Sequence, residues 1–252
     1  MLDPFCGTGT TLVECKKMGL PSVGLEANPV VAFAASVKTS WDIDPKGLRE
    51  YADRVGQATR ETLRGQGIED EPFWDLSPGG PSEYKTLSEE KHDLLIKNSI
   101  TGLPLHKVLI LIEQMDDYRD SPYHQYGRLA LAKALVCSIG NLRFGPEVGV
   151  GKIKEDAAVV GPWEKAMRSI VKDLREVRGY DNAPSVVYQA DARSIGQHIK
   201  EQSIDGVITS PPYNLEKDYD VFRRKLGAYL VRRGFSYEVT NRTVQRVWRE
   251  LS

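Results

Sequence analysis

The hydrophobic pattern at the start of the chain alternates between helix-like and strand-like periods. Residues 10–18 have the spacing of a helix, and the breakers at 19–21 end it. A short apolar strand is predicted over 22–25, with Glu26 at its end. A buried helix is predicted over 29–35, because it is apolar and begins with a proline, which fits the first turn of a helix. The chain therefore opens as an α/β unit.

The same alternation returns near residue 185. An apolar strand is predicted over 185–188, Asp191 follows it, and a helical turn is predicted around 195–199. Residues 204–209 form the last clear strand pattern. Strands that alternate with helices indicate a parallel sheet covered by helices, so the predicted fold class is α/β.

The middle of the chain, residues 46–179, has mostly helical periodicity. Its apolar and charged positions predict four long helices, at 48–63, 103–115, 129–139 and 163–177. Residues 69–81 are rich in proline, glycine and acidic side chains and are predicted to be a loop. Residues 141–156 show no periodicity, so no regular element is predicted there.

The composition indicates the cellular compartment more clearly than it indicates the ligand. The 252 residues carry a net charge of −1, which does not indicate nucleic-acid binding, although a balanced total can hide a basic face. Cys6, Cys15 and Cys137 are too few and too scattered for a disulfide framework, which favours a reducing compartment. No apolar run approaches the roughly 20 residues that span a bilayer, and the first residues lack a signal-peptide pattern. We therefore expect a cytoplasmic enzyme without a membrane partner.

The first motif that carries chemistry is Asp-Pro-Phe-Cys-Gly-Thr-Gly at residues 3–9, where the first strand ends. A doubly wound sheet binds its ligand beyond the carboxyl ends of its strands. Gly7 and Gly9 permit backbone angles that other residues avoid and a close approach of the ligand, and the next helix begins with N–H groups that suit a carboxylate. We expect Asp3 to hold an ammonium group of the cofactor and Phe5 to lie beside it.

Two further acids end the next predicted strands. Glu26 is placed to accept hydrogen bonds from two ribose hydroxyls, as an acid does in dinucleotide folds, and Asp191 to accept one from an adenine amino group. A single acid at a strand end is more often solvated or a helix cap, but three in this order favour a cofactor site. The glycine pattern lacks the third glycine of a dinucleotide fingerprint, which favours S-adenosylmethionine over NAD.

A second motif, Ser-Pro-Pro-Tyr at residues 210–213, follows the last predicted strand. In isolation it would be read as a proline turn with a packed tyrosine. Together with Leu-Asp-Pro-Phe-Cys-Gly-Thr-Gly-Thr-Thr at 2–11, it resembles the S-adenosylmethionine-dependent amino-methyltransferases of DNA that carry a Ser-Pro-Pro-Tyr motif. Enzymes of this family methylate the exocyclic nitrogen of cytosine (N4) or adenine (N6).

The resemblance implies a role for each residue of the second motif. An exocyclic amine is a poor nucleophile because its lone pair is delocalised into the ring, so the Ser210 side chain and the Pro211 carbonyl would accept its N–H bonds and orient it. Pro211 and Pro212 would make that carbonyl rigid. Tyr213 would stack on the base after it has flipped out of double-stranded DNA. Serine at the head of the motif favours cytosine N4, and no metal or covalent nucleophile is needed.

The resemblance also implies a Rossmann-like doubly wound methyltransferase sheet divided by an insertion. Residues 1–45 would be its cofactor-binding half, 46–179 a long and mainly helical insertion, 180–221 its target-base half and 222–252 a small, basic, helical tail. The chain begins at the end of its first strand, so we expect the sheet to be incomplete.

Two parts of the chain depart from the family pattern. The insertion is longer than one crossover requires, and it carries four cations that are either a solvated face or DNA contacts, namely Arg119, Arg128, Lys133 and Arg143. Residues 222–239 and a helix predicted over 244–251 resemble the helical repeat of RecX-type recombinase regulators. Their arginines would bind phosphates in a manner that weakens steeply with salt.

The sequence leaves three functions open. The leading one is a site-specific DNA methyltransferase that acts on an amino group, with cytosine N4 favoured over adenine N6. The second is an RNA or protein amide methyltransferase that uses the same motif. The third is a truncated remnant that binds nucleic acid or a recombinase without any cofactor. The residues do not predict the recognition sequence, the biological role or the oligomeric state.

Overall fold

The chain divides into two compact units, Met1–Thr209 and Ser210–Ser252. The computed structural model of the protein describes residues 1–71, 83–144, 148–180, 183–210, 219, 220, 223, 224, 227, 237 and 240–245. In the predicted tail at 222–252, the described residues are helical, and the remaining residues lie outside the described ranges.

Helices and two small sheets build the first unit. The helices lie at Thr10–Lys17 (α1), Pro29–Thr39 (α2), Pro45–Gly65 (α3), Glu89–His92 (α4), Gly102–Asp116 (α5), His124–Ala134 (α6), Val160–Glu176 (α7) and Ile195–His198 (α8). The strands lie at Leu2–Asp3 (β1), Ser22–Glu26 (β2), Leu142–Arg143 (β3), Gly149–Val150 (β4) and Ser185–Gln189 (β5). Among the helices formed by described residues, none is both long enough and apolar enough to cross a bilayer.

The main sheet is parallel and joins the two ends of the first unit. Its strands pair in the order β1-β2-β5, and Val207 forms a parallel bridge to Leu2 at the free edge of β1. The first strand therefore lies between the second strand and the last segment in chain order. This arrangement confirms the α/β class and is compatible with a Rossmann-like sheet.

The strand predicted over 204–209 is wrong in length. Val207 alone makes a bridge, held by hydrogen bonds from Leu2 N to Gly206 O at 2.9 Å and from Ile208 N to Leu2 O at 3.0 Å. Because β1 has only 2 residues, it offers too few backbone groups to pair with a longer segment.

Two predictions for the middle of the chain also need correction. Residues 141–156, where no regular element is predicted, contain the hairpin β3–β4, whose ladder is too short to show a period in the sequence. The helix predicted over 129–139 begins earlier, at His124, and passes into a π-helical turn over Leu135–Ile139. The helices predicted at 48–63, 103–115 and 163–177 are confirmed as α3, α5 and α7, with their ends shifted by a few residues.

A small apolar cluster joins α1 and α2 to one face of the sheet. It consists of Cys6, Leu12 and Ala35, with Val187 of β5 against them. A Cβ at Gly24 of β2 would lie 2.7 Å from Cys6 Sγ, so only glycine leaves room for the residues after β1 at this point. The loop between β1 and α1 is thus held close to the centre of the sheet.

The helices α3, α5, α6 and α7 enclose the larger core of the unit. Trp163 of α7 is fully buried there, and its Nε1 donates to Gly127 O of α6 at 2.9 Å. Arg60 of α3 binds Glu164 of α7 through both of its terminal nitrogens, at 2.6 and 2.9 Å. The buried carboxylate of Asp70 accepts the N–H groups of Val159 and Val160, which fixes the start of α7.

Candidate functional site

The three predicted cofactor acids lie at the carboxyl edge of the parallel sheet. Asp3 ends β1, Glu26 ends β2, and Asp191 follows β5 by two residues. Asp3 pairs in register with Gly24, and Glu26 pairs with Gln189, so the three strands end near one another. The structure therefore brings these acids to the same edge, where parallel sheets of this kind bind ligands.

The glycine loop between β1 and α1 uses its two glycines for different purposes. Gly9 has a φ of +80°, and a Cβ there would lie 3.0 Å from the Ala35 side chain, so this glycine allows α2 to approach. Gly7 has a φ of +51°, but a Cβ there would meet none of the described residues within 4 Å. The space above Gly7 is therefore open to a ligand, and its backbone angle disfavours a side chain.

The Glu26 carboxylate ties the end of β2 to this loop. Its Oε2 accepts the N–H of Gly7 at 3.1 Å, and its Oε1 accepts the N–H of Asn28 at 2.8 Å. An ionised carboxylate has about four lone-pair positions, so each oxygen can accept a further bond. Glu26 is half-buried, and this leaves its remaining lone pairs accessible for two hydroxyl donors.

Cys6, in the loop after β1, is close enough to Asp3 and Glu26 for both carboxylates to affect its thiol. Its thiol is buried and 3.8 Å from Gly7 O. Burial raises the pKa of Cys6 to about 11, and the negative charges of Asp3 and Glu26 add to the effect. The thiol stays protonated at physiological pH, so it fills space beneath the loop and is not a nucleophile.

Helix α1 begins without a side-chain cap. Its N-cap is Gly9, which has no side chain, whereas the N-cap side chains of α2 and α3 (Asn28 and Asp44) accept the first N–H groups of their helices. The first-turn N–H groups of α1 thus receive no side-chain cap and suit an anionic group of a ligand. Phe5, which is predicted to lie beside the cofactor, precedes this helix in the sequence and is 37% exposed. Asp3 is buried, and its carboxylate accepts the Phe5 N–H at 3.2 Å.

Lys38 of α2 contacts the glycine loop, a relationship that the motif does not predict. Its Nζ donates to Thr8 O at 2.7 Å and lies 3.3 Å from Thr8 Oγ1. Thr8 stands between the two glycines, so this lysine fixes the backbone between them. The only sequence signal is a cation in the last turn of the helix after Glu26, which is too common to identify a contact.

Asp191 is engaged by a neighbouring cation. Arg193 donates to both of its carboxylate oxygens, at 2.9 and 2.6 Å, and the Arg193 N–H bonds to the carboxylate as well. These hydrogen bonds from Arg193 lower the pKa of Asp191 to about 2. Both groups are exposed, so the pair can open to another partner at small cost.

The second motif lies almost wholly outside the described residues. Ser210 is exposed, while Pro211, Pro212 and Tyr213 are not among the residues that the structure describes. Their roles stay predictions from the sequence.

Two of the four cations in the helical segment, for which the sequence leaves a solvated face or DNA contacts open, have protein partners. Arg119 pairs with Asp116 at 3.0 Å, and the guanidinium of Arg128 lies 5.2 Å from the centre of the Phe33 ring. Lys133 and Arg143 are exposed. The part of the chain that the structure describes contains no cluster of histidine, cysteine and acidic side chains that could hold a metal ion.

A cavity of about 280 Å³ is lined in part by Lys38, the residue that contacts Thr8 of the glycine loop. The cavity lies between α1 and α2 on one side and α6 and α7 on the other. Its lining includes Val37, Trp41, Tyr126 and Leu129. None of the predicted cofactor residues lines it.

Comparison with known proteins gives one local similarity. A segment of 38 residues is 47% identical to the Type II methyltransferase M.MjaII of Methanocaldococcus jannaschii, and it represents 15% of this chain and 7% of that protein. No protein-family model and no solved structure matches the chain. The similarity supports a methyltransferase over a short segment only.

Proposed function

We propose that the chain is an S-adenosylmethionine-dependent methyltransferase that acts on an exocyclic amino group of DNA, with cytosine N4 as the favoured target. The observation that carries the proposal is the hydrogen bond from Gly7 N–H to Glu26 Oε2 at 3.1 Å. It joins an acid at the end of β2 to a glycine loop at the end of β1, at the edge where parallel sheets of this kind bind nucleotide ligands. The short similarity to a Type II methyltransferase supports the same class.

The groups at the sheet edge fit the charges of the proposed cofactor. The buried carboxylate of Asp3 and the half-buried one of Glu26 suit an ammonium group and ribose hydroxyls. The first turn of α1, which begins without a side-chain cap, suits a carboxylate. The open space at Gly7 allows the ligand to approach the backbone closely. The residues present therefore suit a ligand with an amino-acid end and a nucleoside end.

The chain's own groups would bind and orient the reactants. When bound, S-adenosylmethionine supplies an electrophilic methyl group. Glu26 would hold the ribose and Asp191 the adenine amino group, after exchange of its contact with Arg193. Ser210 and the Pro211 carbonyl would accept the N–H bonds of the target amine and turn its lone pair towards the methyl carbon. Tyr213 would stack on the flipped base.

Transfer of labelled methyl groups tests the substrate. The chain is incubated with methyl-labelled S-adenosylmethionine and, separately, with mixed-sequence DNA, RNA and protein. We expect label in DNA, recovered as N4-methylcytosine after digestion to nucleosides. N6-methyladenine would correct the target base, and label in RNA or protein alone would replace the DNA substrate.

Tyr213→Ala separates binding from transfer. We expect this variant to bind S-adenosylhomocysteine as the parent chain does but to transfer methyl groups roughly 5-fold to 150-fold more slowly, because stacking on a base is worth about 1–3 kcal/mol. Tyr237→Ala is the matched control, since Tyr237 is 74% exposed. A large loss of cofactor affinity in Tyr213→Ala would contradict the role assigned to this residue.

A further inference from the structure

A row of cations follows the solvent face of α7. Lys165, Arg168, Lys172 and Arg175 are all exposed and recur at intervals of three, four and three residues, so they lie on one face of the helix. We call these four residues the α7 ridge. The buried residues of the same helix, among them Trp163 and Met167, occupy the opposite face.

Two grooves beside the α7 ridge extend the positive surface. The groove between α7 and α3, of about 230 Å³, is lined by Arg49 and Asp53 together with Arg168, Lys172 and Arg175 of the ridge. The groove between α7 and α6, of about 570 Å³, is lined by Lys133 and Glu71 together with Lys165 and Arg168. Each groove adds one cation and at least one acid: Arg49 lies 3.9 Å from Asp53 in the first groove, and Lys133 shares the second with Glu71.

The acids of α7, which are Glu164, Asp173 and Glu176, offset only part of the charge of the four ridge cations. The Glu164 carboxylate is already held by Arg60 at 2.6 and 2.9 Å, and Arg168 lies 3.7 Å from it with its side chain 65% exposed. Lys172 lies 3.6 Å from Glu176 and is 76% exposed. Ion pairs with such exposed cations contribute little stability, so Arg168 and Lys172 can turn to phosphate groups at small cost. The whole chain carries a net charge of −1, which makes this segregation of cations a local feature.

We propose that the α7 ridge, with Arg49 and Lys133 beside it, binds the phosphate backbone of double-stranded DNA. The ridge extends for about 15 Å along the helix, at 1.5 Å per residue. This length matches about four phosphates of one strand, which follow one another every 3.4 Å along the duplex axis. The surface makes no base contact, so it holds DNA without reading the sequence. The inference rests on the proposed function, because it identifies DNA as the polyanion.

Removal of the ridge charges tests the surface. The test variant is K165Q/R168Q/K172Q/R175Q, since glutamine keeps helix propensity and removes charge. The matched control is K91Q/K97Q/K152Q/K200Q, which loses the same charge at exposed lysines elsewhere in the first unit. Binding to a fluorescent 30-base-pair duplex of mixed sequence is measured by anisotropy between roughly 50 and 200 mM salt.

We expect the ridge variant to bind the duplex at least tenfold more weakly than the parent, with a salt slope smaller by about two to four. The control should bind within about twofold of the parent. An unchanged ridge variant, an equal loss in the control, or a parent chain that does not bind the duplex would overturn the inference. A loss seen on an RNA hairpin but not on the duplex would also overturn it, in favour of RNA.

A second measurement does not depend on the folding of a variant. Acetylation of the parent chain with and without duplex DNA, read by mass spectrometry, should show Lys165 and Lys172 protected and Lys91 and Lys97 unprotected. Equal labelling of all four lysines with and without DNA would contradict the surface. Binding of S-adenosylhomocysteine and methyl transfer are measured on the same samples, so failure of the ridge with intact transfer is distinct from failure of the proposed function.

Discussion

Lys38 Nζ donates to Thr8 O at 2.7 Å, across 30 residues of chain. This contact joins the last turn of α2 to the loop that precedes α1, and Thr8 lies between the two glycines of that loop. A loop that must adopt two positive φ angles loses much conformational entropy when a ligand orders it. Lys38 offsets part of that loss before the ligand arrives, which makes it a positioning residue.

Lys38→Met should weaken binding of S-adenosylhomocysteine roughly twofold to tenfold, because one hydrogen bond contributes about 0.5–1.5 kcal/mol. Lys38→Arg keeps a donor and should restore most of the affinity. Lys17→Met is the matched control, since Lys17 pairs with Glu14 on the surface of α1. Calorimetry measures the affinities. A Met variant that binds as tightly as the parent would contradict the positioning role.

Alkylation of cysteines tests the environment beneath the loop. At pH 8, iodoacetamide should label the exposed Cys137 and leave the buried Cys6 unlabelled. With a pKa of about 11, Cys6 has roughly one thiolate per thousand molecules at that pH. Glu26→Gln removes one of the charges that raise this pKa, so Cys6 should then react faster. Peptide mass spectrometry gives both rates, and equal labelling of Cys6 and Cys137 in the parent would contradict the assignment.

The pair of Asp191 and Arg193 predicts a pH effect. The hydrogen bonds from Arg193 lower the pKa of Asp191 to about 2, so the carboxylate stays ionised until the pH falls through that value. In Arg193→Gln the pKa should rise towards the ordinary 3.8, and the proton should bind at a correspondingly higher pH. A carboxyl NMR titration measures the shift. We also expect Arg193→Gln to bind S-adenosylhomocysteine at least as tightly as the parent and Asp191→Asn to bind it more weakly; the reverse order would contradict the adenine contact.

Gly127 tests the packing of the helical core. A Cβ at this position would lie 2.9 Å from Tyr51 Oη and 3.1 Å from Met115 Sδ, beside the carbonyl that accepts from Trp163. Gly127→Ala should therefore lower the free energy of unfolding by about 1–3 kcal/mol. Gly65→Ala, where no described residue lies within 4 Å, should leave it unchanged or raise it by up to about 1 kcal/mol. Denaturant unfolding measures both, and equal effects of the two changes would refute the packing argument.

The strand ends at the cofactor edge could be predicted because local chemistry determines them. After Glu26, Asn28 caps a helix that begins at Pro29, and after Asp3 comes the glycine loop. The contact between Glu26 and Gly7 could not be predicted, because it depends on the parallel register of β1 and β2. The partner of Thr8 likewise depends on Lys38, a side chain that the motif leaves out.

The single bridge at Val207 and the π-helical turn after α6 illustrate a second limit. The apolar run at 204–209 has the composition of a strand, but its pairing is set by how much of β1 faces it. The run at 129–139 has helical spacing throughout. Over so few residues, the sequence pattern of an α-helix is the same as that of an α-helix that ends in one π-helical turn. The cations of α7 differ from these two cases, because their spacing of three, four and three residues can be read from the sequence. Only the structure shows which residues of α3 and α6 lie beside them.

The most direct test of the cofactor site is calorimetric titration of the chain with S-adenosylhomocysteine. The parent should bind in the micromolar range. Glu26→Ala should lose at least tenfold in affinity because two hydroxyl acceptors disappear, while Glu14→Ala on the surface of α1 should bind as the parent does. A folded parent chain that does not bind, or a Glu26→Ala variant that binds as tightly as the parent, would contradict the account.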